Sequence, residues 1–267
     1  MMRTKWGFDF KIGFVLAVLV AGMAVVSLFY TPYDINDIEP ADRFIPPGSR
    51  FLMGTDNFGR DIFSRVMTGG RYTLLVSVCT VLGSAAIGSS VGLVAGYAGG
   101  LSNEIVTRLM DAISSFPGIL LALVMVSLME NGPFTLIVAL LVLFIPGYVR
   151  IMRNEMLQYK NSDFVKTAEL MGASHFRIIF VHILPNTAPS LLSATILGLS
   201  NAILAEATMS YLGLGIQPPT PSWGRMLSES QNFLFNAPWC ALSPGIMIMV
   251  TVMAFHYIGE GIRRRYC

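Results

Sequence analysis

Residues 164–185 read FVKTAELMGASHFRIIFVHILP, a half-polar, helix-forming segment set between two long apolar runs. Phe164, Ala168 and Met171 recur at i, i+4 and i+7, and after Gly172 the set Phe176, Ile179, Phe180 and Ile183 recurs likewise. Such spacing places each set on one face of a helix, so the segment is expected to form two short amphipathic helices. Gly172 suits the left-handed residue that ends a helix, Ser174 can cap the next one, and Pro185 marks the start of the following apolar run. A helix that only covers a bundle, or one lying on anionic lipid, requires neither a break nor two limbs. The segment therefore reads as an elbow held on the cytoplasmic surface.

The surrounding chain is 54% hydrophobic and 13% charged, with a mean hydropathy of +0.62, against roughly 25% charge in an average soluble domain. An apolar run of about 20 residues crosses the hydrocarbon core of a bilayer. Six candidates fall at 12–30, 72–97, 114–129, 134–149, 187–205 and 240–259, which makes the expected fold an all-α polytopic membrane protein. The first run follows Arg3, Lys5 and Lys11, but it is longer than a signal-peptide core and no A-x-A site follows it, so it is expected to be a retained span.

Basic residues accumulate on the cytoplasmic side of a bilayer. With the N-terminus inside, twelve of the 18 Lys and Arg residues fall on inner segments, and six (Arg43, Arg50, Arg60, Arg65, Arg71 and Arg225) fall on outer ones. Both termini are expected inside. A net charge of +2 with basic residues spread along the chain gives no nucleic-acid surface. Cys79 within the second run, Cys240 near the outer face and Cys267 inside share no compartment that favours a disulfide.

Residues 1–70 are expected to hold the first span and an outer segment, and 71–267 the main transmembrane unit, with the loop 150–185 inside. The end of the outer segment, GTDNFGRDIFSRVMTGGR, carries a weak stripe of Ile62, Phe63 and Val66 beside Arg60, Asp61 and Arg65. It reads either as an amphipathic helix on the outer interface or as a solvated loop with a turn of helix. In the second span Gly88, Gly92 and Gly96, extended by Ser84, form a row of small residues, a spacing that lets helix backbones approach closely in lipid. The expected neighbour lies in the same chain. Asp111 is one turn from Arg108 and is expected to pair with it at the cytoplasmic interface. The outer loop SYLGLGIQPPTPSWG offers Tyr211, Leu212 and Trp223 as anchors. Glu206, close to the outer end of the fifth span, either caps locally at the interface or lines a pathway with Tyr211 as an outer gate.

Much chemistry is missing from the sequence. It has no G-x-x-x-x-G-K-[ST] loop, and no Gly-Lys pair at all, so the chain is not expected to bind or hydrolyse ATP. H-E-x-x-H and G-x-S-x-G are also lacking, and His175, His182 and His256 have no metal-site spacing. No catalytic residue, metal site or bound cofactor is expected.

The 164–185 segment resembles the cytoplasmic EAA loop of ABC-importer permeases, whose pattern is E-A-A, a glycine four positions later, and I-x-L-P. Gly172, Leu184 and Pro185 match, and His182 stands where Ile is common. Lys166, Thr167 and Ala168 replace E-A-A, with Glu169 one position later. MGTDNFGRDIFSRVMTGGRYTLLVS and SYLGLGIQPPTPSWGRML are similar to the outer segment and the last outer loop of the C-type permeases of oligopeptide, dipeptide and nickel importers.

This resemblance implies a type I importer fold with a coupling elbow between spans 4 and 5. It also implies a permease that pairs with a homologous second permease, two ATPase subunits carrying ATP and Mg, and an extracellular or periplasmic substrate-binding protein. The implied ATPase-coupling residues are Lys166, Thr167, Ala168, Glu169, Gly172, Ala173, Ser174, His175, Phe176, Arg177, Leu184 and Pro185. Di- or oligopeptides are the expected cargo. Nickel or a metal chelate is the alternative within the class, and a stand-alone secondary carrier is the alternative outside it.

Overall fold

A computed structural model describes residues 7–129 and 132–266. Arg3, Lys5 and Cys267, which enter the orientation argument, lie outside the described residues. Among those described, the architecture is helical: α1 (Phe8–Val26), α2 (Ile62–Ala98), α3 (Gly100–Ser114), α4 (Gly118–Ser127), α5 (Pro133–Lys160), α6 (Asp163–Leu170), α7 (His175–Arg177), α8 (Leu184–Tyr211), α9 (Trp223–Ser230) and α10 (Trp239–Tyr266). A π-helical turn, Ile178–Ile183, joins α7 to α8, so His175–Tyr211 is one apolar rod of 37 residues. Five helices are long and apolar enough to cross a membrane, and the α3–α4 pair, bent by 85°, makes a sixth.

The glycine row sets the centre of the bundle. Ser84 Oγ donates to the Leu141 carbonyl at 3.1 Å, across 57 residues. A β-carbon added to Gly88 would lie 2.9 Å from the Ile145 carbonyl, one on Gly96 would lie 3.0 Å from the Arg153 carbonyl, and one on Gly92 would run into the Val149 carbonyl. Each pair keeps the same 57-residue offset, so α2 and α5 run parallel, stepping together by four residues with their backbones in contact. The neighbour expected in the same chain is α5. Two parallel crossing helices need a crossing between them, and α3–α4 supplies it. Alone, the ten residues of α4 span about 15 Å, half of a hydrocarbon core of about 30 Å.

Antiparallel pairs close the bundle. A β-carbon on Gly13 of α1 would meet Tyr257 and Ile258 of α10, and Ser193 Oγ and Ser200 Oγ of α8 donate to the Gly259 and Val252 carbonyls of α10 at 3.2 and 3.1 Å. The start of α1, the end of α10 and the elbow therefore share one face. The segments 27–61 and 212–238 lie on the opposite face.

Several expected boundaries are corrected. No separate interfacial helix precedes the second span: the Ile62 and Val66 stripe belongs to the first turns of α2, and residue 70 falls inside that helix. These turns are buried because their charges are neutralised in place. Arg65, 2% exposed, lies 3.4 Å from Glu229 and 3.8 Å from Asp56, and Arg60 pairs with Asp56 at 2.7 Å. Asp61 caps the helix through Ser64 N–H at 2.8 Å. The fourth span, expected to end at 149, continues to Lys160, so 150–160 is helix and not loop. Asp111 pairs with Arg150 at 2.9 Å, while Arg108 takes Glu104.

Candidate coupling site

Within the elbow, α6 ends in two closing hydrogen bonds, from Gly172 N–H to the Glu169 carbonyl (2.9 Å) and from Ala173 N–H to the Ala168 carbonyl (3.0 Å). That pattern places its C′ residue in the left-handed region, and Gly172 has φ +77°. Ser174 Oγ then accepts from Arg177 N–H at 3.3 Å and starts α7. Both sequence expectations, the glycine break and the serine cap, correspond to this geometry.

The faces are different from those expected. Val165 and Ala168 of α6 pack with Ile178 and Ile183 of the π-helical turn and with Met152 and Met156 of α5. Full burial of a side chain such as Ile178 or Ile183 contributes about 1.5–3 kcal/mol. Of the expected first stripe only Ala168 is buried; Phe164 is half exposed and Met171 is 82% exposed. In the second limb Phe176 is 71% exposed and stacks on Phe180 with ring centroids 4.3 Å apart. Nor is that limb a second free-standing helix. The wider π-helical turn carries it into α8, and Pro185 sits just past the junction between the two helix types.

The elbow thus presents an apolar prow of Leu170 (89% exposed), Met171 and Phe176, with exposed Lys166, Thr167, Glu169 and Arg177 around it. Lys166 stands 4.0 Å from Asp163, and Thr167 Oγ1 donates to the Asp163 carbonyl at 2.8 Å. Ala173 and Leu184 are half-buried against the α6 cluster. His175 is not free on the surface: its Nδ1 meets the Tyr97 hydroxyl at the end of α2, and Lys160 Nζ donates to the Tyr97 carbonyl and lies over its ring. The sequence points to Lys160 only as one of the inner basic residues, and not to Tyr97. A further sign of both was their place at the ends of two spans that the glycine row holds together.

On the opposite face, Trp223 of α9 is buried, donates from Nε1 to the Val66 carbonyl at 2.9 Å, and rests on Gly70. Glu206 pairs locally, within α8. It is fully buried and accepts from Ser210 Oγ at 2.7 Å, with the Thr73 and Ser222 hydroxyls beside it. Tyr211, 40% exposed, ends α8 a turn away. Cys240 is buried with its thiol 3.6 Å from the Thr55 carbonyl, and so is not an exposed outer residue.

A helical membrane bundle with a projecting elbow and a capped opposite face is the arrangement of a transport permease. Over residues 88–266 the chain matches the family described as binding-protein-dependent transport system inner membrane component, and it belongs to that family. It is 38% identical over 258 residues to the dipeptide transport system permease protein DppC of Haemophilus influenzae, covering 94% of this chain and 88% of that one. It is 37% identical over 247 residues to the glutathione transport system permease protein GsiD of Pectobacterium atrosepticum (92% and 82%). Two crystal forms of the inward-facing MetNI methionine ABC transporter share the fold, with TM-scores of 0.64 and 0.65 at 20% identity. They cover 74% and 76% of this chain and 94% and 96% of the matched one.

Proposed function

We propose that this chain is a permease subunit of an ATP-driven importer of di- or oligopeptides, forming the pathway together with a homologous second permease. Its elbow faces the cytoplasm and seats in an ATPase subunit, two of which supply ATP hydrolysis. A substrate-binding protein delivers cargo to the opposite face. No cofactor is bound by this chain. The observation that carries the reading is the elbow itself, whose prow of Leu170, Met171 and Phe176 is 71–89% exposed although water penalises apolar area at about 25 cal/mol per Å². A surface of that kind, held by a closed backbone motif and buried supports, suits a partner. Peptide is favoured over nickel or a metal chelate because the similar permeases named above carry dipeptide and glutathione in their names.

Capture of ATPases by the tagged chain, co-expressed with its second permease, tests the assignment. Leu170→Asp with Phe176→Asp is expected to leave the two permeases together and abolish ATPase capture. Unchanged capture in that variant would move the docking site away from the elbow.

A further inference from the structure

We propose that Glu206 is the anionic half of a buried site for one small monovalent cation, a proton or a sodium ion, beneath the segment 212–238 that caps the face opposite the elbow. Glu206 is fully buried five residues before the end of α8. The fit of the cap onto that helix is the reason. A β-carbon on Gly224 would run into the Ala207 carbonyl, one on Gly215 would run into the Ser210 side chain, and one on Gly69 of α2 would lie 3.3 Å from Ser222 Cα. Backbone laid on backbone in this way keeps the carboxyl from water. Its Oε1 accepts from Ser210 Oγ at 2.7 Å, while Oε2 has no hydrogen bond. The Thr73 hydroxyl beside it is fully buried and also without a hydrogen bond, as is Ser77 Oγ one turn further along α2.

A buried carboxylate without a counter-charge is strongly disfavoured, and the charged groups on the packed elements are engaged elsewhere. On α9, Arg225 pairs with Glu229 at 3.2 Å. On α2, Arg65 shares Glu229, and Arg71 donates to the Tyr72 hydroxyl at 3.2 Å. The charged residues of α5 and α10, from Arg150 and His256 onward, stand towards the elbow, and α4 carries no ionisable residue. The site therefore calls for one positive charge. A divalent cation takes several carboxylates or waters, and no three His, Cys, Asp or Glu side chains cluster among the described residues, so a lone carboxylate among hydroxyls suits a single charge. Either small cation satisfies the same atoms: a proton on Oε2 donates to the Thr73 hydroxyl, and a sodium ion takes both oxygens as ligands. With the charge bound, the carboxyl joins α8 to Thr73 of α2 and to Ser222 at the start of α9, and the cation fastens the cap to both helices.

Infrared difference spectroscopy of the complete importer in lipid vesicles, wild type against Glu206→Gln, provides the test near neutral pH, where exposed carboxylates are ionised. In choline buffer, a protonated-carboxyl band present in wild type and lost in Glu206→Gln identifies the cation as a proton. A carboxylate band in sodium buffer, with a thermal midpoint higher in sodium than in choline and a rise that Glu206→Gln loses, identifies it as sodium. A Glu206 carboxylate band with the same midpoint in both buffers would overturn the proposal. Should Glu206→Gln fail to assemble, Thr73→Val removes only the facing hydroxyl. It is expected to shift the protonated-carboxyl band or to diminish the sodium-dependent rise in midpoint, and a Thr73→Val importer identical to wild type in both readouts would also overturn the proposal.

Discussion

Gly172 holds φ +77° with no atom within 4 Å of where a β-carbon would stand, so a substitution there introduces backbone strain and nothing else. Gly172→Val costs on the order of 1–2 kcal/mol, too little to unfold the bundle but enough to reset the angle between α6 and α7. The variant is expected to insert and pair normally while ATPase capture and substrate-stimulated ATP turnover fall several-fold. Lys166→Ala is the comparison, and near wild-type behaviour is expected of it. Its side chain is 60% exposed and only 4.0 Å from Asp163, and exposed ion pairs contribute about 0–1 kcal/mol. Gly92 presents the opposite situation, since any β-carbon there meets the α5 backbone. Gly92→Leu is expected to reduce sharply the yield of monodisperse protein in detergent, whereas Gly22→Leu on α1, with no atom within 4 Å, is expected to leave it unchanged. The conformation of Gly172 and the cap at Ser174 were legible in the sequence because both are local. The outward turn of Phe164, Met171 and Phe176 was not, because periodicity identifies an apolar face without saying whether the chain's own core or another surface covers it.

Among the elements, α9 best separates local from long-range information. Its Trp223 lies 157 residues from the Val66 carbonyl that accepts its indole N–H, and Gly70 is the residue that leaves room for the ring. Trp223→Ala removes a fully buried aromatic side chain and is expected to destabilise the fold by about 3–5 kcal/mol, read as a lower thermal midpoint in detergent. The start of α2 looked interfacial because Arg60, Asp61 and Arg65 stand beside Ile62 and Val66. Arg60 and Arg65 share Asp56, from the same segment, and Glu229, which comes from α9, while Asp61 caps the helix at Ser64. Sequence periodicity has no access to a countercharge supplied 164 residues away. The 57-residue register of α2 on α5 was half legible: the small-residue row identified a packing face, and only the fold supplied its neighbour.

At the scale of the whole molecule, the helix directions put both ends of the described chain and the elbow on one face, in agreement with the distribution of basic residues. In a background with Cys79, Cys240 and Cys267 replaced by Ser, Phe235→Cys is expected to react with a membrane-impermeant maleimide in intact cells, because Phe235 is 97% exposed on the face opposite the elbow. Met171→Cys, 82% exposed in the wild type, is expected to react only after permeabilisation. The reverse pattern would invert the topology and place the prow out of reach of a cytoplasmic ATPase. The class of protein was legible at this scale because the elbow segment and two outer stretches, separated along the chain, resemble one permease family, and the chain belongs to the family of binding-protein-dependent transport system inner membrane components. The measurement that bears most directly on the proposed division of labour is uptake of a labelled dipeptide into vesicles containing this chain, with and without its second permease, ATPases and binding protein. Uptake that requires ATP and every component, with neither transport nor ATP hydrolysis by this chain alone, is the predicted result; ATP-independent peptide uptake by this chain alone would contradict it.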